Sequence, residues 1–196
     1  MFMNNCIFCN VDKSMYYNTI LEETNNFFVI PTKGSLVDGY VLIVSKKHYL
    51  NMIELDINIK LEYLYLINKY RLIFKNIYYE YPIIFEHGTY INENSASSII
   101  HAHTHIVNHR FLEEDKIIQK LNFKEFNIFE NNIGNNYIMY ISHKNKYYIS
   151  TTFEHKSQLM RYYIAKDLNL IDQYDWNNYT FSENIKSTIK KIKTID

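Results

Sequence analysis

The most regular alternation of polar and apolar positions lies at residues 101–107, where His101, His103 and His105 are separated by single small or semi-polar residues. Two β-branched residues follow the third histidine. Alternate side chains of a β-strand lie on the same face. The pattern therefore predicts a strand over residues 99–107 with three imidazoles on one face, about 7 Å apart along the strand.

Other apolar patterns predict the remaining elements. Short apolar runs predict strands at residues 27–30, 40–44, 82–86, 137–141 and 147–151. Helical spacing predicts one long helix over residues 50–79, with one face marked by Leu61, Leu64, Tyr65, Leu72 and Ile73, and shorter helices at residues 157–168 and 181–192. Residues 110–135 favour no single element. This order predicts an α+β domain around a mostly antiparallel sheet of about five strands.

Composition narrows the class of protein. The 196 residues are 47% hydrophobic and 21% charged, with a formal net charge of zero. This suits one domain with a sizeable core, and argues against bulk nucleic-acid binding or a basic membrane-binding surface. Residues 1–6 show no basic region followed by an apolar run, and no stretch of about 18 apolar residues occurs. We therefore expect a cytoplasmic protein.

A row of histidines can do several kinds of chemistry, because imidazole near neutral pH is a nucleophile, a proton carrier, a hydrogen-bond donor to phosphate or a metal ligand. An unprotonated ring nitrogen of His103 could attack phosphorus and form a phosphohistidine, provided the other nitrogen gives its proton to a fixed acceptor such as a backbone carbonyl. The flanking imidazoles could then donate hydrogen bonds to phosphate oxygens. A metal-binding histidine tract, or simply a polar strand face, is the alternative.

The only two cysteines, Cys6 and Cys9, are separated by two residues. Together with two histidines from elsewhere in the chain, such a pair matches a tetrahedral Cys₂His₂ zinc site. A redox pair has the same spacing, and two unliganded cysteines are also possible. The spacing alone leaves these three interpretations open.

These motifs together resemble the histidine-triad nucleotide hydrolases and transferases. Residues 101–107 fit the family's His-φ-His-φ-His-φ-φ pattern, where φ is apolar. Residues 38–48 resemble its Gly-His-(apolar)-Pro-Lys-x-His segment, with Tyr40 in place of the histidine and Ser45 in place of the proline. Residues 6–9 resemble the Cys-x-Phe-Cys opening of the zinc-carrying members. Phe85-Glu86-His87-Gly88 resembles a segment found before the triad in one subgroup of the family. The C-terminal extension of that subgroup is similar to Gln158-Leu159-Met160-Arg161, Asp175-Trp176, Glu183-Asn184-Ile185 and Thr188.

The resemblance implies a fold, a metal site and a reaction. Residues 1–155 would form the histidine-triad catalytic domain, and residues 156–196 a helical extension packed on it. His103 would attack the α-phosphate of a nucleotide, while His105 binds the scissile phosphate or assists the leaving group. A structural zinc would be held by Cys6, Cys9, His48 and His101.

It also implies substrates and partners. The expected activity is nucleotide hydrolysis at the α-phosphate, with dinucleoside polyphosphates such as diadenosine tetraphosphate as one candidate class. A nucleotidyltransferase using the same intermediate, or a non-catalytic zinc-bearing module that only binds nucleotide, is the alternative. A homodimer is expected by resemblance. Further substrate contacts are expected from Ser98, Asn92, Asn94, Glu86 and His87.

Overall fold

The computed structural model describes residues 6–90, 99–129, 133–153 and 156–195. Within them the chain forms eight strands: β1 (Glu22–Glu23), β2 (Phe27–Pro31), β3 (Tyr40–Ser45), β4 (Ile83–Gly88), β5 (His103–Val107), β6 (Lys124–Glu125), β7 (Tyr137–Ile141) and β8 (Tyr147–Ser150). The helices are α1 (Ile57–Tyr78), α2 (Glu114–Lys120), α3 (Leu159–Asp167) and α4 (Ser182–Lys193). Single 3₁₀ turns occur at Tyr16–Asn18 and Ile171–Gln173.

The eight strands form one sheet in the order β1-β2-β3-β5-β4-β7-β8-β6, and every neighbouring pair is antiparallel. The expected α+β class with an antiparallel sheet is therefore confirmed. The expected count of about five strands is too low. The two outermost strands, β1 and β6, are only two residues long and consist of charged residues, so no apolar run in the sequence indicates them.

The sheet separates two apolar clusters, because successive residues of each strand point to opposite faces. On one face, Val29, Ile43 and Ile106 pack with the buried side of α1. On the other face, Leu42 and Phe85 pack with residues of α3 and of the N-terminal segment. His103 and His105 share this second face with Val107, whereas Thr104 lies on the α1 face, where its hydroxyl is 2.8 Å from that of Tyr63.

The long helix is shorter than predicted, and it buries a different stripe. It begins at Ile57 rather than near residue 50, because Met52, Ile53 and Leu55 are buried as loop residues. The buried stripe of α1 is Tyr63, Leu66, Ile67, Tyr70 and Phe74. Leu61, Tyr65 and Leu72, which the spacing places on the marked face, are each more than half exposed. Apolar residues on two sides of the helix made the inward side ambiguous.

The C-terminal residues are fastened to the β2–β3 connection. Asp38 accepts hydrogen bonds from Tyr78 Oη of α1 at 2.8 Å, and from Ser187 Oγ and Lys191 Nζ of α4 at 2.7 and 2.5 Å. Thr188 Oγ1 accepts the Gly39 backbone N–H at 2.8 Å. These contacts hold α4 beside the start of β3. No helix in the described part of the chain has the length and apolar character needed to cross a membrane.

Candidate functional site

His103 and His105 lie side by side on one face of β5, with ring centroids 5.0 Å apart. Strand pairing sets their positions: Val44 of β3 lies opposite His103, and Leu42 lies opposite His105. Both rings line a cavity of about 280 Å³. The expected sharing of one face by these two imidazoles is therefore present in the structure.

His103 is oriented by the backbone. Its Nδ1 donates a hydrogen bond to the His101 carbonyl oxygen at 2.6 Å, since a carbonyl can only accept. Burial lowers the pKa of His103, although the bond to His101 opposes this effect. The ring is therefore neutral at pH 7 with its proton on Nδ1, which leaves a free electron pair on Nε2. Such a nitrogen can act as a nucleophile.

His105 has different partners. Its ring stacks on that of Phe85, the residue opposite it in β4, with centroids 4.4 Å apart and planes 9° apart. Its Nδ1 is 2.8 Å from the hydroxyl of Tyr40. Burial, and then the charges of His103, His87 and Arg161, hold the pKa of His105 well below its usual value. His105 is therefore also neutral at pH 7.

His101 does not lie on β5 with His103 and His105. It precedes β5, and its side chain lies in a cluster with Cys6, Cys9 and His48. His101 Nδ1 is 3.3 Å from Cys6 Sγ, 3.6 Å from Cys9 Sγ and 3.2 Å from His48 Nδ1, and Cys9 Sγ is 3.2 Å from His48 Nδ1. The predicted strand over residues 99–107 is therefore too long at its start, since β5 begins at His103 and His101 lies outside it.

The four side chains of this cluster could hold a metal ion. Their ligand atoms all lie within 4.8 Å of one another. Around a tetrahedral zinc ion with bonds of about 2.0–2.3 Å, neighbouring ligand atoms are about 3.3–3.8 Å apart, close to the separations found here. His101 Nε2 donates to the Ser45 carbonyl oxygen at 2.7 Å, which leaves Nδ1 unprotonated for a metal. The donor set fits a borderline-soft ion such as zinc.

The electrostatics of the cluster also suit a cation. Burial, together with the hydrogen bond and charge of Cys6, raises the pKa of Cys9 to about 11. Burial, opposed by the bond to Ser45, lowers the pKa of His101 to about 4. The imidazole is thus already in the neutral form that binds a metal, and a bound cation would favour the thiolate of Cys9.

The cavity beside His103 is also lined by residues from distant parts of the chain. Phe8 comes from the segment between the two cysteines, Ile30 and Leu42 come from β2 and β3, and Arg161 and Trp176 come from the C-terminal residues. The sequence indicates the last two only through the family resemblance, which does not place them at the site. Tyr40 stands out in the sequence only as a departure from the family pattern. Its position two residues before Leu42 on β3 was the available signal, because both then share a face.

His87 and Glu86, both expected to contact substrate, lie on opposite faces of β4. His87 lines the cavity, and its buried Nε2 has no hydrogen-bond partner among the described residues. Burial, followed by the charge of His103, lowers the pKa of His87 to about 3. Glu86 is fully buried on the α1 face, where it accepts the Met52 N–H and the Tyr137 hydroxyl, each at 2.7 Å. The structure therefore does not bring Glu86 to the cavity.

The remaining expected substrate contacts, Ser98, Asn92 and Asn94, lie outside the described residues.

Comparisons with known proteins give structural matches only. No protein-family model matches the chain, and no curated protein matches it. A hypothetical histidine triad nucleotide-binding protein from Sulfolobus tokodaii is similar over 97% of this chain and 93% of its own, with 16% identity and a TM-score of 0.46. A HIT-like protein involved in cell-cycle regulation from Bartonella henselae matches 53% of this chain and 79% of its own, with 18% identity and a TM-score of 0.43.

A third solved structure, a HIT family hydrolase from Clostridium thermocellum, matches 55% of this chain and 93% of its own, with 18% identity and a TM-score of 0.40. All three carry the name of the family that residues 101–107 resemble.

Proposed function

We propose that this chain is a histidine-triad nucleotide hydrolase that cleaves its substrate at the α-phosphate through a covalent nucleotidyl-histidine on His103. The observation that carries the proposal is the hydrogen bond from His103 Nδ1 to the His101 carbonyl at 2.6 Å. It leaves Nε2 of a neutral, cavity-lining imidazole free to attack phosphorus.

The reaction has two displacements. In the first, His103 Nε2 forms a bond to the α-phosphorus, and the bond from phosphorus to the leaving-group oxygen breaks. The leaving group departs as a phosphate anion, and the neighbouring neutral His105 can donate a hydrogen bond to it. In the second, water attacks phosphorus, the P–N bond breaks with its electron pair returning to His103 Nε2, and the proton lost by the water is released to solvent. His103 returns to its starting form.

The cavity suits a nucleotide in shape and polarity. Apolar walls from Phe8, Ile30 and Leu42 can cover a flat base, while Lys33 supplies a positive charge at the wall. The buried Nε2 of His87 offers one further polar contact within the same cavity. Diadenosine tetraphosphate remains one candidate substrate, because the α-phosphate of such a molecule carries a phosphate leaving group.

We further propose that Cys6, Cys9, His48 and His101 hold a structural zinc ion. When bound, the ion would tie the N-terminal segment to the residues before β5 and would not activate water, since four protein ligands leave no open position. The segment from Cys6 to Cys9 would then hold Phe8 at the cavity wall.

The decisive test is to measure the mass of the intact protein after brief incubation with a panel of nucleotides and dinucleoside polyphosphates. The reaction is stopped without acid. We expect a mass increase of one nucleotidyl group, located on His103 by peptide mapping. His103→Asn should abolish the adduct and turnover, whereas His143→Gln, an imidazole away from the cavity, should retain both. Turnover in folded His103→Asn equal to that of the wild type would refute the proposal.

A second arm separates the acceptors. The trapped adduct is mixed with water alone or with inorganic phosphate, and the products are identified. Release of the nucleoside monophosphate in water supports hydrolysis, whereas decay only on addition of phosphate would replace it with a transferase. Nucleotide binding without any adduct or turnover would make the chain a binding module.

A further inference from the structure

The hydroxyl of Tyr40 is hydrogen-bonded to Nδ1 of His105. Tyr40 is fully buried, and its Oη lies 2.8 Å from His105 Nδ1. The two residues are diagonal neighbours on one face of the sheet, because Leu42, two residues beyond Tyr40, pairs directly with His105. The contact is therefore built into the register of β3 and β5.

Arg161 lies beside this contact and favours one direction of donation. Its guanidinium Cζ lies 5.5 Å from the centroid of the Tyr40 ring, close enough for its positive charge to act on the Tyr40 hydroxyl. A guanidinium has donors and no acceptor, so the hydroxyl oxygen turns its electron pairs toward Arg161. A buried hydroxyl also needs an acceptor for its own hydrogen. Among the described residues, His105 Nδ1 is the acceptor within reach.

We propose that Tyr40, held by Arg161, is a positioning residue that fixes His105 in the tautomer protonated at Nε2. The Tyr40 hydroxyl donates to Nδ1, so the proton of the neutral ring resides on Nε2. The consequence for phosphate chemistry rests on the proposed function, but the tautomer does not.

The two neighbouring imidazoles then present opposite polarity to the same cavity. His103 donates a hydrogen bond from Nδ1 to a carbonyl and presents an electron pair on Nε2. His105 accepts a hydrogen bond at Nδ1 and presents an N–H on Nε2. One ring can attack phosphorus while the other donates a hydrogen bond to a phosphoryl oxygen or to the leaving group. If both rings were the same tautomer, they could not supply one nucleophile and one hydrogen-bond donor to the same cavity.

The arrangement makes the C-terminal residues part of the site. Arg161 belongs to α3 and is only 2% exposed. Its Nη2 donates to the Gly34 carbonyl at 2.7 Å and to the Tyr174 carbonyl at 3.0 Å, and its Nε donates to Gln158 Oε1 at 3.2 Å. This set of acceptors fixes the guanidinium beside Tyr40. A change in the packing of α3 should therefore alter the state of His105 without touching β5.

The test is the tautomer itself, read from long-range ¹H–¹⁵N spectra of protein labelled at histidine. In the wild type we expect His105 to show an unprotonated Nδ1 and a protonated Nε2, and His103 to show the reverse. Signals of His105 are assigned from His105→Gln. A wild-type His105 protonated at Nδ1 overturns the proposal, and this measurement needs neither substrate nor turnover.

Tyr40→Phe then tests the cause. We expect the His105 signals to shift toward a mixture of tautomers, while those of His103 stay unchanged. Tyr63→Phe is the matched control, because it removes another buried hydroxyl bonded to β5, on Thr104, from the opposite face of the strand. His105 signals that are identical in Tyr40→Phe and in the wild type overturn the proposal.

Rate measurements link the tautomer to the reaction. With a nucleotide substrate, Tyr40→Phe should lower kcat about 10- to 100-fold, with little change in KM. The loss should be smaller for a nucleotidyl p-nitrophenyl ester, because its leaving oxygen shares its charge with the nitro group and depends less on a hydrogen bond, and Tyr63→Phe should show neither effect. A uniform loss for both leaving groups would contradict the donor role of His105. Absence of any nucleotidyl adduct would instead refute the proposed function and leave the tautomer assignment standing.

Discussion

The ring of Phe8 packs against that of His103, with centroids 5.1 Å apart and planes inclined by 55°. Phe8 lies between the two cysteines in the sequence, and its ring also contacts His101, at 5.6 Å. One aromatic side chain therefore joins the cysteine–histidine cluster to the imidazole with the free Nε2. The position of the proposed nucleophile depends on the packing of the N-terminal segment.

Replacing Phe8 should slow the chemistry by more than its effect on stability explains. Phe8→Ala removes a wall of the cavity and the ring that supports His103, so we expect adduct formation in a single turnover to fall about tenfold or more. The free energy of unfolding should fall by about 3 kcal/mol. Phe123→Ala is the matched control, because Phe123 has the same 7% exposure in the same apolar cluster but does not line the cavity. Equal rates in the two variants would remove the role given to Phe8.

Removing one ligand of the cysteine–histidine cluster should release the metal. We expect purified protein to contain one zinc ion per chain by elemental analysis, and His48→Ala to bind zinc more than about 100-fold more weakly. The variant and chelated wild type should lose the same increment of thermal stability, because an ion that binds only the folded state stabilises it by mass action. Lys47→Ala, an exposed neighbour, should keep both zinc and stability. Wild type without zinc and unaffected by chelators would contradict the site.

Glu86 should make the folded state less stable as the pH rises. Burial raises the pKa of Glu86 to about 8 despite hydrogen bonds from Tyr137 and Met52. Below the unfolded pKa of about 4.5 the group is protonated in both states and contributes no dependence. Between that value and about 8, the folded state keeps a proton that the unfolded chain has released, so the free energy of unfolding declines with rising pH. The neighbouring Tyr63 and Tyr137 stay neutral in this range, since burial raises the pKa of each.

Glu86→Gln tests this dependence. The amide mimics the protonated acid, because its oxygen can accept the Met52 N–H and its NH₂ group can donate to the Tyr137 oxygen. Urea denaturation should show similar stability for the two proteins near about pH 5, and a variant more stable by about 1–4 kcal/mol near about pH 9. A difference that stays constant across the series would show that Glu86 does not titrate in this range.

Gly34 should tolerate no side chain. Its φ is +78°, and an added Cβ would lie 2.6 Å from Trp176 Cβ and 2.9 Å from Arg161 Nη2. Gly34→Ala should therefore cost more than about 2 kcal/mol of unfolding free energy and should displace the guanidinium of Arg161. Gly134→Ala is the control for backbone strain alone, because its φ is +63° and an added Cβ would meet nothing within 4 Å. Equal losses in the two variants would show that the close approach at Gly34 carries no cost.

The local pattern predicted the parts of the site that depend on local geometry. A period of two placed His103 and His105 on one face of β5, and the cysteine spacing with the family resemblance named the same four side chains that the structure gathers. The pattern could not show that β5 begins only at His103, so that His101 lies outside the strand and in the cysteine–histidine cluster. The end of a strand depends on its partner strand, and that partner lies about 60 residues earlier in the chain.

Contacts between distant segments were beyond sequence reasoning for a related reason. Arg161 is 121 residues from Tyr40 in the sequence, and nothing in either local pattern indicates that the two meet. The burial of Glu86 on the face opposite His87 follows from strand alternation and could have been predicted from the position of Phe85 beside the triad. The inward side of α1 could not be predicted, because apolar residues occur on two sides of the helix.

The two-residue strands at both ends of the sheet have a consequence for behaviour at high concentration. β1 is formed by two glutamates, and β6 by a lysine and a glutamate. Each edge strand offers few unpaired backbone N–H and C=O groups to a second chain and presents charged side chains there. Fibril growth by strand addition is disfavoured at both borders, even though the inner strands are almost continuously apolar.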